Sequence, residues 1–292
     1  MNLSQEFKQN VRAAILHHRQ NFGGTDTDYA RTLGIKPSIY SRLKKGETEG
    51  LLSNTIWITI GRELDVRMHQ STWKVARTKV YNEIEESLHF CKEYSKSMIL
   101  ADDCGIGKTF CTRHIIRSMK NTFYVDCSQG KTKQQFIRLL AKTVGVDNKG
   151  RYVDVKANLK YYINLLDKPL IVLDEAGDLD YNAFLELKEL WNGTDGGCAW
   201  YMIGADGLRA KMQRGIRNNK VGYAEIFSRF SDEFITLVPT GSMDKKQFYA
   251  DLIGAVATAN LTEKSKVNVL VNQCIKKEAT LRHLETLIKI GA

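Results

Sequence analysis

A short apolar run, Ser97-Met98-Ile99-Leu100, leads into Ala101-Asp102-Asp103-Cys104-Gly105-Ile106-Gly107-Lys108-Thr109. Downstream, Leu170-Ile171-Val172-Leu173 ends in the carboxylates Asp174 and Glu175. The first segment reads as strand, glycine turn and helix, with Phe110 to Met119 presenting Ile115, Ile116 and Met119 on one apolar side. That order places backbone N–H groups at a helix mouth, where the helix dipole favours a bound phosphate. Lys108 is then expected to reach the β- and γ-phosphates of a nucleotide, and the Thr109 hydroxyl to serve as a magnesium ligand. Asp174 is expected to hold the same magnesium, and Glu175 to orient or deprotonate the attacking water. Asp103, Cys104, Gly105, Ile106, Gly107, Lys108, Thr109 and Phe110 form the expected ATP-binding stretch.

Four residues separate the first glycine of the usual pattern from its Gly-Lys pair, and Asp102 holds that first place here. Its carboxylate is expected near the phosphates, with consequences for loop closure and turnover. An ordinary strand-to-helix turn carrying Lys-Thr by chance is the bland alternative. The second, acidic motif in the required order makes it the poorer reading.

The remaining pattern alternates strand and helix. Strands are predicted over 122–126, 170–173, 199–204 and 234–237, and helices over Val80–Cys91, Lys133–Val144 and Val155–Leu166. Such alternation predicts an α/β fold with a parallel sheet covered on both faces. After Pro239 the chain reads as helical through Leu287. The expected organisation is a helical domain over 1–66, a linker over 67–80, an ATPase core over 81–239 and a helical lid over 240–292. Trp73 and Thr78, just ahead of a helix, are candidates to flank an adenine, with core packing as the alternative.

Composition narrows the partners. The 292 residues carry a formal charge of +10, which favours a polyanion, nucleic acid or an acidic membrane surface. No apolar run approaches the roughly 18–20 residues of a membrane helix, and the N-terminus lacks a signal-peptide layout. The six cysteines, at 91, 104, 111, 127, 198 and 274, show no metal or redox spacing. A soluble, cytoplasmic protein with reduced thiols is the expectation.

The first 66 residues read as successive helices, Phe7 to His18 and Thr25 to Leu33 among them, the second capped by Thr25 or Asp26. Gly34 supplies a tight turn, and Pro37 suits the first turn of the next helix. This arrangement resembles the helix-turn-helix of the phage repressor and Cro family, with Ile35, Ile39 or Tyr40, and Leu43 as packing positions. The resemblance implies a recognition helix at about 37–45 whose Ser38, Ser41, Arg42 and Lys45 face DNA. A small helical domain used for protein contact is the other reading, and Glu47 and Glu49 lower the local charge.

The phosphate loop, the acidic strand, the later strand ending in Gly204-Ala205-Asp206, Ser228-Arg229-Phe230 before the last strand, and Arg282 in the C-terminal helical region together resemble an AAA+ ATPase. With the repressor-like region in front, the whole chain is similar to the MuB family of transposition ATPases, close to TnsC and IstB. The resemblance implies that Arg229 is an arginine finger supplied to a neighbouring subunit, with Arg214 or Arg217 as alternatives. It implies that Arg282 senses nucleotide from the lid, and that Ala205 or Asp206 stands where a polar sensor is usual.

It further implies ATP and magnesium as cofactors, self-assembly into a helical filament around double-stranded DNA, and delivery of that DNA to a transposase. Lys131 and Lys133, then Lys188, Asn192 and Thr194, then the run Arg209, Lys211, Arg214, Arg217 and Lys220 are the candidate DNA contacts of the core. Lys108, Glu175 and Arg229 are the expected catalytic residues. A helicase-loader-type ATPase and a nucleotide-switched helix-turn-helix regulator are the alternative readings.

Overall fold

The computed structural model describes residues 3–20, 22, 24–64, 66 and 73–291. Residues 67–72 of the expected linker lie outside the described residues.

Among the described residues a sheet of five parallel strands has the order β2-β3-β4-β1-β5. The strands are β1 (Met98–Ala101), β2 (Thr122–Asp126), β3 (Leu170–Asp174), β4 (Ala199–Gly204) and β5 (Phe234–Ile235). Successive side chains alternate between the faces. Ile171, Leu173, Trp200 and Met202 therefore enter one hydrophobic cluster, and Leu170, Val172, Tyr201 and Ile203 the other. Helices α5 (Lys79–Tyr94) and α6 (Lys108–Ile116) cover the second face. The first is covered by α7 (Lys133–Val144), α8 (Tyr152–Leu165), α9 (Tyr181–Gly193), α10 (Asp206–Arg217) and α11 (Tyr223–Arg229). Coverage on both sides explains why β3 and β4 are buried at every position. The observed architecture is the expected α/β fold, a parallel sheet covered by helices on both faces.

From β1 the chain runs out to the edge strand β2, returns through β3 and β4, and then crosses β1 to reach β5. The reversal beside β1 opens a crevice at the carboxyl ends of the strands, where ligands of such sheets bind. The last strand is shorter than the predicted 234–237. Its ladder stops at Ile235 because the amides of Leu237 and Val238 turn to the carboxylate of Asp102.

Among the described residues four helices precede the core: α1 (Gln5–Gln20), α2 (Asp26–Thr32), α3 (Pro37–Lys44) and α4 (Asn54–Glu63). They share a cluster of their own around Val11, Ile15, Tyr29, Tyr40, Leu43, Trp57 and Ile60. Thr25 caps α2 in a reciprocal pair with Asp28, and Gly34 adopts φ +69° in the turn to α3. Ile35, Tyr40 and Leu43 are buried, while Ile39 is half-buried. The Lys142–Glu63 ion pair (2.9 Å) bridges α7 and α4.

After the sheet come α12 (Ser242–Asn260), α13 (Val267–Lys276) and α14 (Leu281–Ile290), packed around Ile253, Val256, Leu270, Cys274 and Leu284. Trp73 packs against this cluster. Among the described residues no helix is long and apolar enough to cross a membrane.

Candidate nucleotide-binding site

The turn from β1 to α6 is made by Gly105 (φ +75°) and Gly107 (φ +96°), a backbone region that glycine enters without steric cost. Ile106 is buried between them and anchors the loop in the α5–α6 cluster. Lys108 is also buried, and its ammonium donates to the carbonyl oxygens of Asp102 (2.8 Å) and Asp103 (2.6 Å). Burial pushes the Lys108 pKa down, against the pull of Asp102, Cys104, Asp174 and Glu175. Cys104 and Phe110 lie exposed at the two ends of the stretch.

Asp102 does not face this loop. Its carboxylate is 2% exposed and accepts the amides of Val238 (3.0 Å), Leu237 and Asp103 (2.7 Å). The carboxylate is thus engaged by backbone amides, while its charge still acts on Lys108. The side chain replaces glycine at the loop's start and binds the chain leaving β5, because three backbone donors converge there and need an acceptor in the absence of water.

At the end of β3 the Thr109 hydroxyl donates to Asp174 Oδ2 at 2.7 Å. The Tyr124 phenol, from β2, donates to the same oxygen at 2.5 Å, and the Glu175 amide donates to Oδ1 at 2.9 Å. The Arg113 guanidinium lies 4.6 Å from the centre of the Tyr124 ring. Glu175 occupies the left-handed region (φ +51°), and the residue is exposed overall while its carboxyl is partly shielded. Burial, then the charges of Asp174 and Asp178, push its pKa up despite Lys108.

Thr109 and Asp174 together offer two hard oxygen donors converging within 2.7 Å. Among the described residues no group of three His, Cys, Asp or Glu side chains could hold a metal ion. The pair suits magnesium, which is commonly held by one or two carboxylates plus substrate phosphates rather than by an all-protein cage.

The helices after the sheet reach the same loop. Lys245 and Tyr249, one turn apart on α12, bind Asp103 Oδ2 at 2.6 and 2.9 Å. The Leu281 amide at the start of α14 donates to the Gly105 carbonyl at 3.2 Å. A Cβ on Gly105 would lie 2.6 Å from that of Thr280, so only glycine lets the helix approach this closely. Arg282 is exposed on the following residue. Between the start of α5 and α12 a small cleft is lined by Thr78, Lys79, Val80, Phe248, Asp251 and Leu252. Thr78, the adenine-flanking candidate, therefore lines a cleft while its hydroxyl caps α5 by accepting the Tyr81 amide.

Other candidates lie apart. Arg229 stacks over Trp191 at 5.2 Å, and the Trp191 indole donates to Ser97 just before β1. Arg229 thus sits at the amino end of the sheet, opposite its own phosphate loop. Arg214 and Arg217 are exposed on α10, Ala205 caps that helix, and Asp206 is exposed beside Arg209.

Among the core's expected DNA contacts, Lys131, Lys133 and Lys188 are paired with Asp178 (2.7 Å), Glu186 (2.7 Å) and Glu225 (2.9 Å). Thr194 is a correction. It is 2% exposed, its hydroxyl donates to Leu190 O and accepts from the Trp200 indole, so it faces the core. Arg209 and Lys211 are likewise turned inward, onto Ala101 O and Thr236 for the former and Gly177 O and Leu179 O for the latter. Lys220 lies over the Tyr181 ring at 3.9 Å. On α3, Ser38, Ser41, Arg42 and Lys45 are exposed, with Arg42 paired to Glu47 at 2.7 Å.

Sequence reasoning missed Tyr124, Lys245 and Tyr249. The helical spacing of Lys245 and Tyr249 was readable, but nothing in it points to Asp103.

Residues 91–212 match the family of AAA domains, a span that takes in β1, the phosphate loop, β2 to β4 and the start of α10. The chain therefore carries an AAA domain, built on a parallel sheet of the P-loop NTPase type. Such a domain supports a nucleotide-dependent ATPase. No curated protein matches the chain.

Proposed function

We propose that this chain is an ATP-dependent DNA-binding ATPase that assembles on duplex DNA and presents it as a target to a transposase. The observation that carries the nucleotide part is the Thr109–Asp174 hydrogen bond at 2.7 Å beside the buried ammonium of Lys108. In this reading the loop amides and Lys108 take the β- and γ-phosphates, and the cleft between Val80 and Leu252 takes the base. Magnesium, held through Thr109 and Asp174, supplies Lewis-acid stabilisation of charge on the phosphates. Glu175, whose carboxylate is kept more basic than usual by burial and nearby acids, orients or deprotonates the attacking water.

Assembly follows from Arg229. Its place at the amino end of the sheet puts it out of reach of its own loop, so service as an arginine finger requires a neighbouring copy. DNA binding is supported by the net charge of +10 and by the exposed Ser38, Arg42 and Lys45 on α3, in the repressor-like arrangement of α2 and α3. Lys131, Lys133 and Lys188 serve as phosphate contacts in this scheme by exchanging their carboxylate partners for the DNA backbone. Delivery to a transposase rests on the resemblance to the MuB family.

The deciding experiment is electron microscopy and filter binding of the full chain with duplex DNA and a slowly hydrolysed ATP analogue. Regular, length-dependent assemblies that vanish with Lys108→Ala are expected. Undiminished assembly by that variant, or a monomer in the presence of both ligands, overturns the reading.

A further inference from the structure

The Asp103 side chain of the phosphate loop is bound by α12, and both of its partners grip the same oxygen. Lys245 Nζ lies 2.6 Å and Tyr249 Oη 2.9 Å from Asp103 Oδ2, and the two partners stand four residues apart on one helix face. Such spacing brings side chains together on a helix surface, so two donors converge on one acceptor. The same helix spans two cores. Phe248 and Leu252 pack with Ile106 and α5, whereas Ile253, Val256 and Ala257 pack with α13 and α14. Its first two turns are thereby connected through packing to α14, whose Leu281 amide and preceding Thr280 side chain rest on Gly105.

We propose that Asp103, Lys245 and Tyr249 form a latch that holds the C-terminal helices over the phosphate loop and sets how fast nucleotide leaves. These are positioning residues, and the inference rests on the nucleotide-binding reading above. The apolar contacts of Phe248 and Leu252 constrain distance but tolerate sliding, because hydrophobic contact is non-directional. The two hydrogen bonds on Asp103 fix the register of α12 against the loop, since hydrogen bonds weaken steeply with angle.

The test is stopped-flow release of a fluorescent ATP analogue from the full chain with magnesium, alongside amide hydrogen exchange. Lys245→Met is expected to speed release about fivefold, the scale of one partly exposed charged contact. Tyr249→Phe should speed it by a smaller factor, Lys245→Arg should restore slow release, and Lys246→Met on the neighbouring exposed residue should leave it unchanged. Exchange across 281–290 should quicken in Lys245→Met while that of 98–101 stays as in the parent.

Release and exchange in Lys245→Met and Tyr249→Phe both indistinguishable from the parent overturn the latch. If the parent binds nucleotide, Lys108→Ala does not, and the latch variants behave like the parent, the nucleotide reading survives without the latch. If the parent binds no nucleotide, the nucleotide reading fails. The exchange data then decide alone whether the three residues hold α14 against the loop.

Discussion

Asp102 Oδ2 accepts the Val238 amide at 3.0 Å, joining the first residue of the phosphate loop to the segment that leaves the sheet for α12. With the Asp103–Lys245 pair it makes two adjacent carboxylates of the loop hold two successive parts of the chain. Replacing Asp102 by Gly restores the usual loop residue yet strands buried donors. A loss of about 2–6 kcal/mol of unfolding free energy is expected by chemical denaturation, since the two fully buried amides, of Leu237 and Val238, each cost about 1–3 kcal/mol when unsatisfied. Asp102→Asn, which keeps one acceptor oxygen, should lose less. A Gly variant as stable as the parent would refute the structural role.

Glu175→Gln should bind ATP as the parent does and hydrolyse it slower by a factor of about 10²–10⁴, the usual contribution of a positioned general base. Steady-state phosphate release with and without duplex DNA measures this. Near-parental turnover would assign the water-activating role elsewhere.

Tyr124→Phe removes the phenol donor from Asp174 and leaves the ring beside Arg113. Stability should fall by about 1 kcal/mol. The magnesium concentration giving half-maximal nucleotide binding should rise about tenfold, the lower range for residues that orient a metal ligand. An unchanged magnesium titration would reduce Tyr124 to packing.

Acid should open the latch only well below neutrality. Burial raises the Asp103 pKa, but the hydrogen bonds from Lys245 and Tyr249, with the charges of Lys245 and Lys108, outweigh it and leave the carboxyl below its ordinary value. Asp102 and Asp206 also act on Lys245, whose own pKa is raised, first by its bond to Asp103. A depressed carboxylate pKa stabilises above the unfolded value, near 3.9, and that stability is lost as pH falls through the lower folded value. Amide exchange of 281–290, corrected for intrinsic rates, should stay flat from about pH 8 to 5 and rise only on further acidification. A rise centred near pH 6 would mean another group controls the contact.

Arg42→Ala and Lys45→Ala should each weaken duplex binding and reduce the slope of log affinity against log salt by about one. Thr194→Ala should cost about 1–3 kcal/mol of stability through the unpaired Trp200 indole and leave the salt slope untouched. Equal slopes for the α3 variants and the parent would remove that helix from the DNA-binding surface.

Strand 122–126, helix Lys133–Val144 and strand 199–204 were legible residue for residue, because local periodicity and turn signals agree with tertiary burial there. The glycine loop and the acidic strand end likewise come together as expected, at the Thr109–Asp174 hydrogen bond. Thr194 was misread because a polar residue near a helix end looks exposed until the Trp200 indole is seen to need its hydroxyl.

The order of the five strands, the phosphate loop and its acidic partner were thus written in the sequence alone, as patterns of period, glycine and charge acting over a few residues. Only the tertiary structure decided where Asp102 and Asp103 point, which lysines are engaged, and that α12 and α14 close on the loop. Those outcomes depend on donors and acceptors brought together from distant positions, as Asp102 with Val238 across 136 residues, where no local rule of the chain can pair them.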